Sequence, residues 1–320
     1  MVKLFAALIA LALGMISQPV LAQQPCTMSD ADASWLAQAL TQWRKSAREE
    51  LGISELVLPT VYAIDSQCLY QIVGGDVVNP TAAQHGGVPK LPEGQELPLG
   101  PVSFAFGKDR FVMSLPSVWR EAGITSEFGL ERLMTGVLLH EIAHTLQSDL
   151  AEHFLDPIAQ EQGLGDELSD DLLQHRFTDV PGYEAAFREE TALLFAAAAA
   201  PSDTAARELA ARTLHMMQQR RARWLTGANA YFVELDDIFL TMEGIGQWLI
   251  YRYFLQLESD DGGPARALEE TRRGGRWWSQ DQGLALMLVV DRLLPDWRSR
   301  AFSDPEWRAQ NLLSAAIAGQ

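Results

Sequence analysis

The sequence predicts an α+β protein that is mainly α, and three observations carry that expectation. Two short stretches rich in strand-forming residues, 55–73 and 102–115, each break at a turn signal, as antiparallel hairpins do. From about residue 126 to the C-terminus, apolar residues recur at helical spacing with few interruptions. Between the two strand-rich stretches, residues 74–101 are crowded with Gly and Pro and carry little periodicity. The chain therefore divides into a signal peptide (1–22), an N-terminal α+β part (23–125) and a large helical part (126–320).

The first element is a leader. Lys3 supplies a positive n-region, Leu4 to Ile16 an apolar run, and Val20-Leu21-Ala22 a small-residue cleavage signal before Gln23. An apolar run of about 13 residues is short for a membrane span, although an uncleaved anchor is the competing reading. Gln24 and Pro25 before Cys26 argue against a lipid-modified cysteine. Cleavage after Ala22 would make the protein periplasmic or secreted, with no stable membrane insertion. Cys26 and Cys68 are the chain's two cysteines, and in an oxidising compartment they read as one disulfide. Removing residues 1–22 takes away Lys3 and no acid, so a net charge of −17 becomes −18. Such acidity argues against nucleic acid or an anionic membrane as partner, because both need basic surface.

Asp30 to Leu51 reads as an amphipathic helix, with Ser29 or Asp30 as cap, Trp35, Leu36, Ala39, Leu40 and Trp43 on one face, and Gly52 as stop. Val57, Val61, Tyr62, Ile64, Leu69, Tyr70, Ile72 and Val73 then form the first hairpin, turning at Asp65-Ser66. Residues 74–101 read as a long surface loop, either a lid over a cleft or a mobile insertion. His85 within it receives no role. The second hairpin turns at Gly107-Lys108-Asp109. Helical signal runs from about Ser126 to Asp149, then over 165–176, 181–200, 202–226, 228–256, 281–293 and 304–318.

The chemistry concentrates in His140-Glu141-Ile142-Ala143-His144. Residues four apart share one face of a helix, so His140 and His144 can present two imidazole nitrogens to one Zn2+. Glu141 beside them can take a proton from a water that the metal activates. The bland reading is chance, with two ordinary core histidines. A catalytic zinc takes three protein ligands, and the spacing excludes some sources for the third. Gln147 and Leu150 stand where a metzincin needs Gly and His, and Gly163 stands nineteen residues after His144 where some families carry Glu. His153 is reachable only by a returning loop.

Two distant helices offer a carboxylate. Glu190 is flanked by apolar residues, and Glu243 is the single acid in an otherwise uncharged stretch from Ile238 to Tyr251. An acid in such a setting is expensive unless paired or metal-bound. Glu161, Glu234 and Asp237 remain as further alternatives. Gly244 and Gly246 weaken that helix by about 1 kcal/mol each relative to Ala, which points to close approach of another element.

His140-Glu141-x-x-His144 with the later Glu243-Gly244-x-Gly246-x-Trp248 resembles the gluzincin metallopeptidases, at these two motifs alone. The resemblance implies His140, His144 and Glu243 as ligands of one zinc per chain, Glu141 as general base, and a peptide or protein substrate held against an edge strand. Tyr251, Tyr253, His175 and His215 are unranked candidates for an oxyanion donor. Two rivals stand beside this reading: a non-catalytic helical binding protein with a structural zinc, and a zinc hydrolase of non-peptide substrates.

Overall fold

The computed structural model describes residues 26–257, 263–302 and 304–319. The leader expected over 1–22 lies outside the described residues. The chain is mainly helical, with one small mixed sheet, as the residue pattern predicts. Helix α1 (Asp30–Glu49) precedes β1 (Thr60–Ile64), β2 (Cys68–Ile72), β3 (Thr81–Gln84), β4 (Ser103–Phe106) and β5 (Arg110–Ser114). Helices α2 (Pro116–Glu121) and α3 (Leu130–Ala143) lead into short irregular turns. After them come α4 (Ser148–Leu150), α5 (Asp156–Gln162), α6 (Leu172–Phe177), α7 (Tyr183–Ala198), α8 (Asp203–Trp224) and α9 (Phe232–Leu257). Helices α10 (Gly263–Arg272), α11 (Trp278–Leu293), α12 (Trp297–Ala301) and α13 (Ala309–Ala318) complete the chain.

Ser29 caps α1 by accepting a hydrogen bond from the Asp32 backbone N–H, and Trp35, Leu36, Ala39, Leu40 and Trp43 are its buried face. The indole N–H of Trp35 reaches Glu131 O and Thr135 Oγ1 of α3 at 3.0 and 3.2 Å, so α1 is tied to the motif helix. Both expected hairpins form, with β1 antiparallel to β2 and β4 antiparallel to β5. Their union into one sheet of order β3-β2-β1-β5-β4 comes from a parallel β1–β5 pairing. Successive side chains alternate across the sheet. Val61, Ala63, Ile72, Phe111 and Met113 therefore face the helical core, while Tyr62, Ile64, Leu69 and Val112 face the other way.

Residues 74–101 depart from the expected unstructured loop. They contain β3, whose Thr-Ala-Ala-Gln sequence has too little apolar bulk to announce a strand, yet pairs with β2. Leu91 and Leu97 then cover the second face of the sheet beside Tyr62, Ile64 and Val112. The segment packs as a cover on the sheet. Cys26 and Cys68 form a disulfide with Cα atoms 5.9 Å apart, fastening the segment before α1 to β2. No helix among the described residues is long and apolar enough to cross a membrane.

Two helical expectations also shift. The motif helix ends at Ala143 and tightens into a 3-10 turn over His144–Gln147, and helix continues irregularly to Gln162. Residues 263–272 form a helix that the apolar pattern does not announce, because only Ala267 and Thr271 are buried. The central layer is α3, α9 and α11. Gly244 of α9 and Gly283 of α11 meet backbone to backbone: a Cβ on Gly244 would lie 2.7 Å from Gly283 O. Small residues at that crossing let the two helices approach closely enough to bring side chains from both toward α3.

Candidate functional site

α3 and the 3-10 turn that continues it place His140 and His144 one turn apart, with ring centroids 4.9 Å apart and planes at 88°. α9, almost a hundred residues later, lays Glu243 against both rings. His140 Nε2 is 3.1 Å from one Glu243 carboxylate oxygen, and His144 Nε2 is 3.5 Å from the other. These three side chains are buried or nearly so, with 4%, 11% and 8% of their surface exposed. The expected glycine effect has a specific cause here. A Cβ on Gly246 would lie 2.7 Å from His140 Cγ and Nδ1, so the imidazole lies flat against bare backbone.

The donor set fits a tetrahedral zinc. Bonds of about 2.0–2.1 Å at tetrahedral angles put neighbouring ligand atoms about 3.3 Å apart, and the two histidine–Glu243 separations bracket that spacing. The acceptable donor atoms of His140, Glu141 and His144 also lie within 4.8 Å of one another. Glu141 stands 4.0 Å from His144 Nε2, so Glu243, at 3.5 Å, is the carboxylate nearer that ring. Gln147 Oε1 lies 2.7 Å from His144 Nδ1. An amide oxygen there accepts, which places the ring proton on Nδ1 and leaves Nε2 with its lone pair toward Glu243.

The electrostatics are those of a crowded carboxylate cluster. Burial pushes the Glu141 carboxyl up to about 8, with Glu243 and Asp170 adding to the rise. Burial likewise raises Asp170 to about 7. His140 is depressed by burial, but the charge and hydrogen bond of Glu243 overcome that and bring it to about 9. Burial holds His144 below its ordinary value. Burial would raise Glu243, yet the two histidines and a hydrogen bond from Gln280 bring it below the usual carboxylate range.

An open cleft of about 520 Å³ exposes this cluster. Its walls include Ser103, Phe104 and Ala105 of β4, Glu141 of α3, His144 just after it, and Glu243 of α9. β4 is the free edge of the sheet, so the edge strand expected beside the motif helix is in place. A smaller chamber of about 140 Å³, walled by Val137, Ile250, Phe254 and Trp277, adjoins His140 and Glu141 from the other side. Glu141 and Gln280 line both spaces.

The other candidates lie elsewhere. Glu190, the alternative third ligand, is fully buried between α7 and α8, where Arg220 Nε donates to both its oxygens at 3.1 and 2.9 Å. Asp236 completes that pair from α9, accepting from Arg220 and Arg221. Glu234 and Asp237 pair with Arg308, while Glu161 and His153 are exposed. Among the proposed oxyanion donors, Tyr253 bonds to Thr135, His215 faces Gln219 and His175 is exposed near Arg176; none of the four lines the cleft. Sequence reasoning missed Asp170 and Gln280. Asp170 precedes α6 in an irregular segment and Gln280 is a neutral side chain, so neither left a periodic or motif signal.

Comparison with protein-family models, curated proteins and solved structures finds no match to this chain.

Proposed function

We propose that this protein is an exported zinc-dependent peptidase in which His140, His144 and Glu243 hold the metal and Glu141 is the general base. The observation that carries the reading is the convergence of two imidazole Nε2 atoms on the two oxygens of Glu243, at zinc-ligand spacing and, among the described residues, with no Lys or Arg paired to the buried acid. Zinc held there would polarise a scissile carbonyl and make a water acidic near neutral pH. With the metal bound, Glu141, partly exposed to the cleft, would accept a proton and return it to the leaving nitrogen.

Substrate class follows from the cleft. The free edge of β4 offers unpaired backbone groups to an extended chain, which supports a peptide. The lining carries Glu141, Glu152, Asp156, Asp170 and Glu243 without Lys or Arg, which disfavours phosphate esters among non-peptide substrates. A structural zinc would be closed by four protein ligands, whereas His144 and Glu243 here face an open cleft. The disulfide supports export to an oxidising compartment.

A second reading has a specific observation behind it: at 3.1 Å, His140 and Glu243 also make a buried imidazolium–carboxylate pair that needs no metal. Elemental analysis of the purified protein separates the two. About one zinc per chain, lost in Glu243→Ala and kept in Glu190→Ala, with peptide cleavage abolished only in the first, supports the peptidase. A wild type that takes up no zinc after reconstitution sinks it and leaves the ion pair.

A further inference from the structure

Glu141 borders two spaces of unlike character. The cleft carries Glu152, Asp156 and Asp170 and no Lys or Arg. The chamber beyond is walled by Val137 of α3, Ile250 and Phe254 of α9 and Trp277, and its lining includes one cation, Arg273. Val137 stands four residues before Glu141 on α3, and Ile250 four before Phe254 on α9, so each helix turns one stripe to this space. Its volume of about 140 Å³ is close to that of an apolar cavity of about 150 Å³ that takes up benzene. One aromatic or branched aliphatic side chain fills such a space.

The turn from α10 into α11 carries Arg272, Arg273 and Arg276. Arg272 is paired with Asp281 at 2.8 Å. Among the described residues no carboxylate forms an ion pair with Arg273 or Arg276, in a chain of 42 acidic and 25 basic residues. Asp171 feels the charge of Arg276 without such a contact, and Glu270, which also lines the chamber, accepts from Ser126 Oγ. Both arginines are exposed and lie over Trp277, their guanidinium carbons 5.6 and 5.1 Å from its ring centre. That contact orients them by cation–π attraction. Arg273 has a φ of 46°, and Gly274 and Gly275 follow at 74° and 67°. A left-handed residue with a Cβ is costly where glycine would serve, so this position keeps a guanidinium against its backbone preference.

We infer that the chamber is the subsite for the last residue of a peptide, with an apolar side chain between α3 and α9 and the terminal carboxylate on Arg273, supported by Arg276. The protein is then a carboxypeptidase. This rests on the peptidase reading above. A planar guanidinium matches a carboxylate with two parallel N–H donors, and an arginine without an acidic partner is free to take one from the substrate. The volume sets the reach: with room for one side chain beyond Glu141, the carboxylate lies one residue past the scissile bond. The polarity agrees, because an acid-lined cleft on the other side of Glu141 repels a chain terminus that carries negative charge. Hydrolysis there breaks the last C–N bond and consumes one water, whose oxygen enters the new carboxyl terminus while a proton goes to the released amine.

The test uses the full exported chain and two peptides of one sequence ending in Phe, one with a free carboxylate and one amidated. Mass spectrometry of the products is expected to show release of free Phe, with kcat/KM about 10–100-fold higher for the acid, the worth of one charged hydrogen-bonded contact. Arg273→Gln is expected to lower kcat/KM for the acid by that factor and leave the amide unchanged, so that the ratio falls close to unity; a merely structural arginine would lower both substrates together. Isothermal titration of the metal-free protein with N-acetylphenylalanine and its amide reads the same preference without zinc or turnover, and Arg273→Gln should abolish it. Should Arg273→Gln not fold, Arg276→Gln and the two wild-type comparisons decide. Cleavage at internal bonds, with acid and amide equal, overturns the subsite while the peptidase reading stands. A preference for the acid that survives in Arg273→Gln and Arg276→Gln places the carboxylate elsewhere and also overturns it. A zinc-loaded protein that cleaves neither peptide nor any bond of a mixed peptide library removes both readings.

Discussion

Gly246→Ala is the sharpest perturbation of the site, because it adds one methyl group at a position that touches no substrate. The new Cβ would meet His140 Cγ and Nδ1 at 2.7 Å and Cδ2 at 2.8 Å. Ordinary carbon contacts begin at about 3.5 Å, so ring and helix must separate by about 0.8 Å. The ring cannot simply swing aside, since Nε2 is engaged with Glu243 and α3 is packed on both sides by α1 and α9. Moving α9 instead carries Glu243 away from both histidines. Two stability effects oppose each other: Ala is favoured over Gly in a helix interior by about 1 kcal/mol, and overpacking a tight contact costs about 1–3 kcal/mol. The expected outcome is a metal-free protein between neutral and about 2 kcal/mol less stable, together with a loss of zinc affinity well beyond that of a control such as Gly263→Ala. Differential scanning calorimetry of the metal-free protein and chelator competition read the two quantities separately. A Gly246→Ala protein that gains the full helix-propensity stabilisation and binds zinc as wild type does would refute the seating of His140 on this backbone.

Three further outcomes are expected. Glu141→Gln should retain zinc and lose several orders of magnitude in kcat, because the isosteric amide cannot accept a proton; activity within tenfold of wild type would remove the general-base role. Asp236 should make stability depend on pH in the acid range. Burial opposes its ionisation, but Arg220 and Arg221 hold its folded pKa below the ordinary value, so its contribution is present above about pH 4 and is lost as pH falls through the folded pKa. Asp236→Asn should then destabilise by about 3–5 kcal/mol at pH 7 and by progressively less below pH 4, and a melting-temperature difference that stays constant down to pH 2.5 would contradict the assignment. Replacing Cys26 and Cys68 by Ser together should cost up to about 4 kcal/mol on the loop-entropy model for a separation of 42 residues; denaturant unfolding of the variant with an unchanged midpoint would show that the bond adds nothing.

Much of this molecule was legible along the chain because the relevant physics is local. Trp35, Leu36, Ala39 and Leu40 repeat at the helical period, and they are the buried face of α1. Val61 to Ile64 and Leu69 to Ile72 form a hairpin because strand formers flank a short turn. His140 and His144 fall on one helix face by spacing alone, and the lone acid Glu243 in an apolar helix announced a buried partner. The same reasoning could not separate Glu190 from Glu243, since both are acids among apolar residues on helices. Only packing divides them: the guanidinium of Arg220 meets Glu190, and the two imidazoles meet Glu243.

The sequence by itself determined the class of elements, the two cysteines able to pair in an oxidising compartment, and the two histidines with their neighbouring glutamate. Tertiary structure decided everything that depends on which surfaces meet. It joined two hairpins through a parallel pairing, placed β4 at the open edge beside α3, and brought Asp170 and Gln280 to Glu243 from segments 73 and 37 residues away in the numbering. Periodicity records which face of an element is apolar. It carries no record of the partner that face finds, and a neutral amide such as Gln280 reaches the cleft with no trace in the pattern.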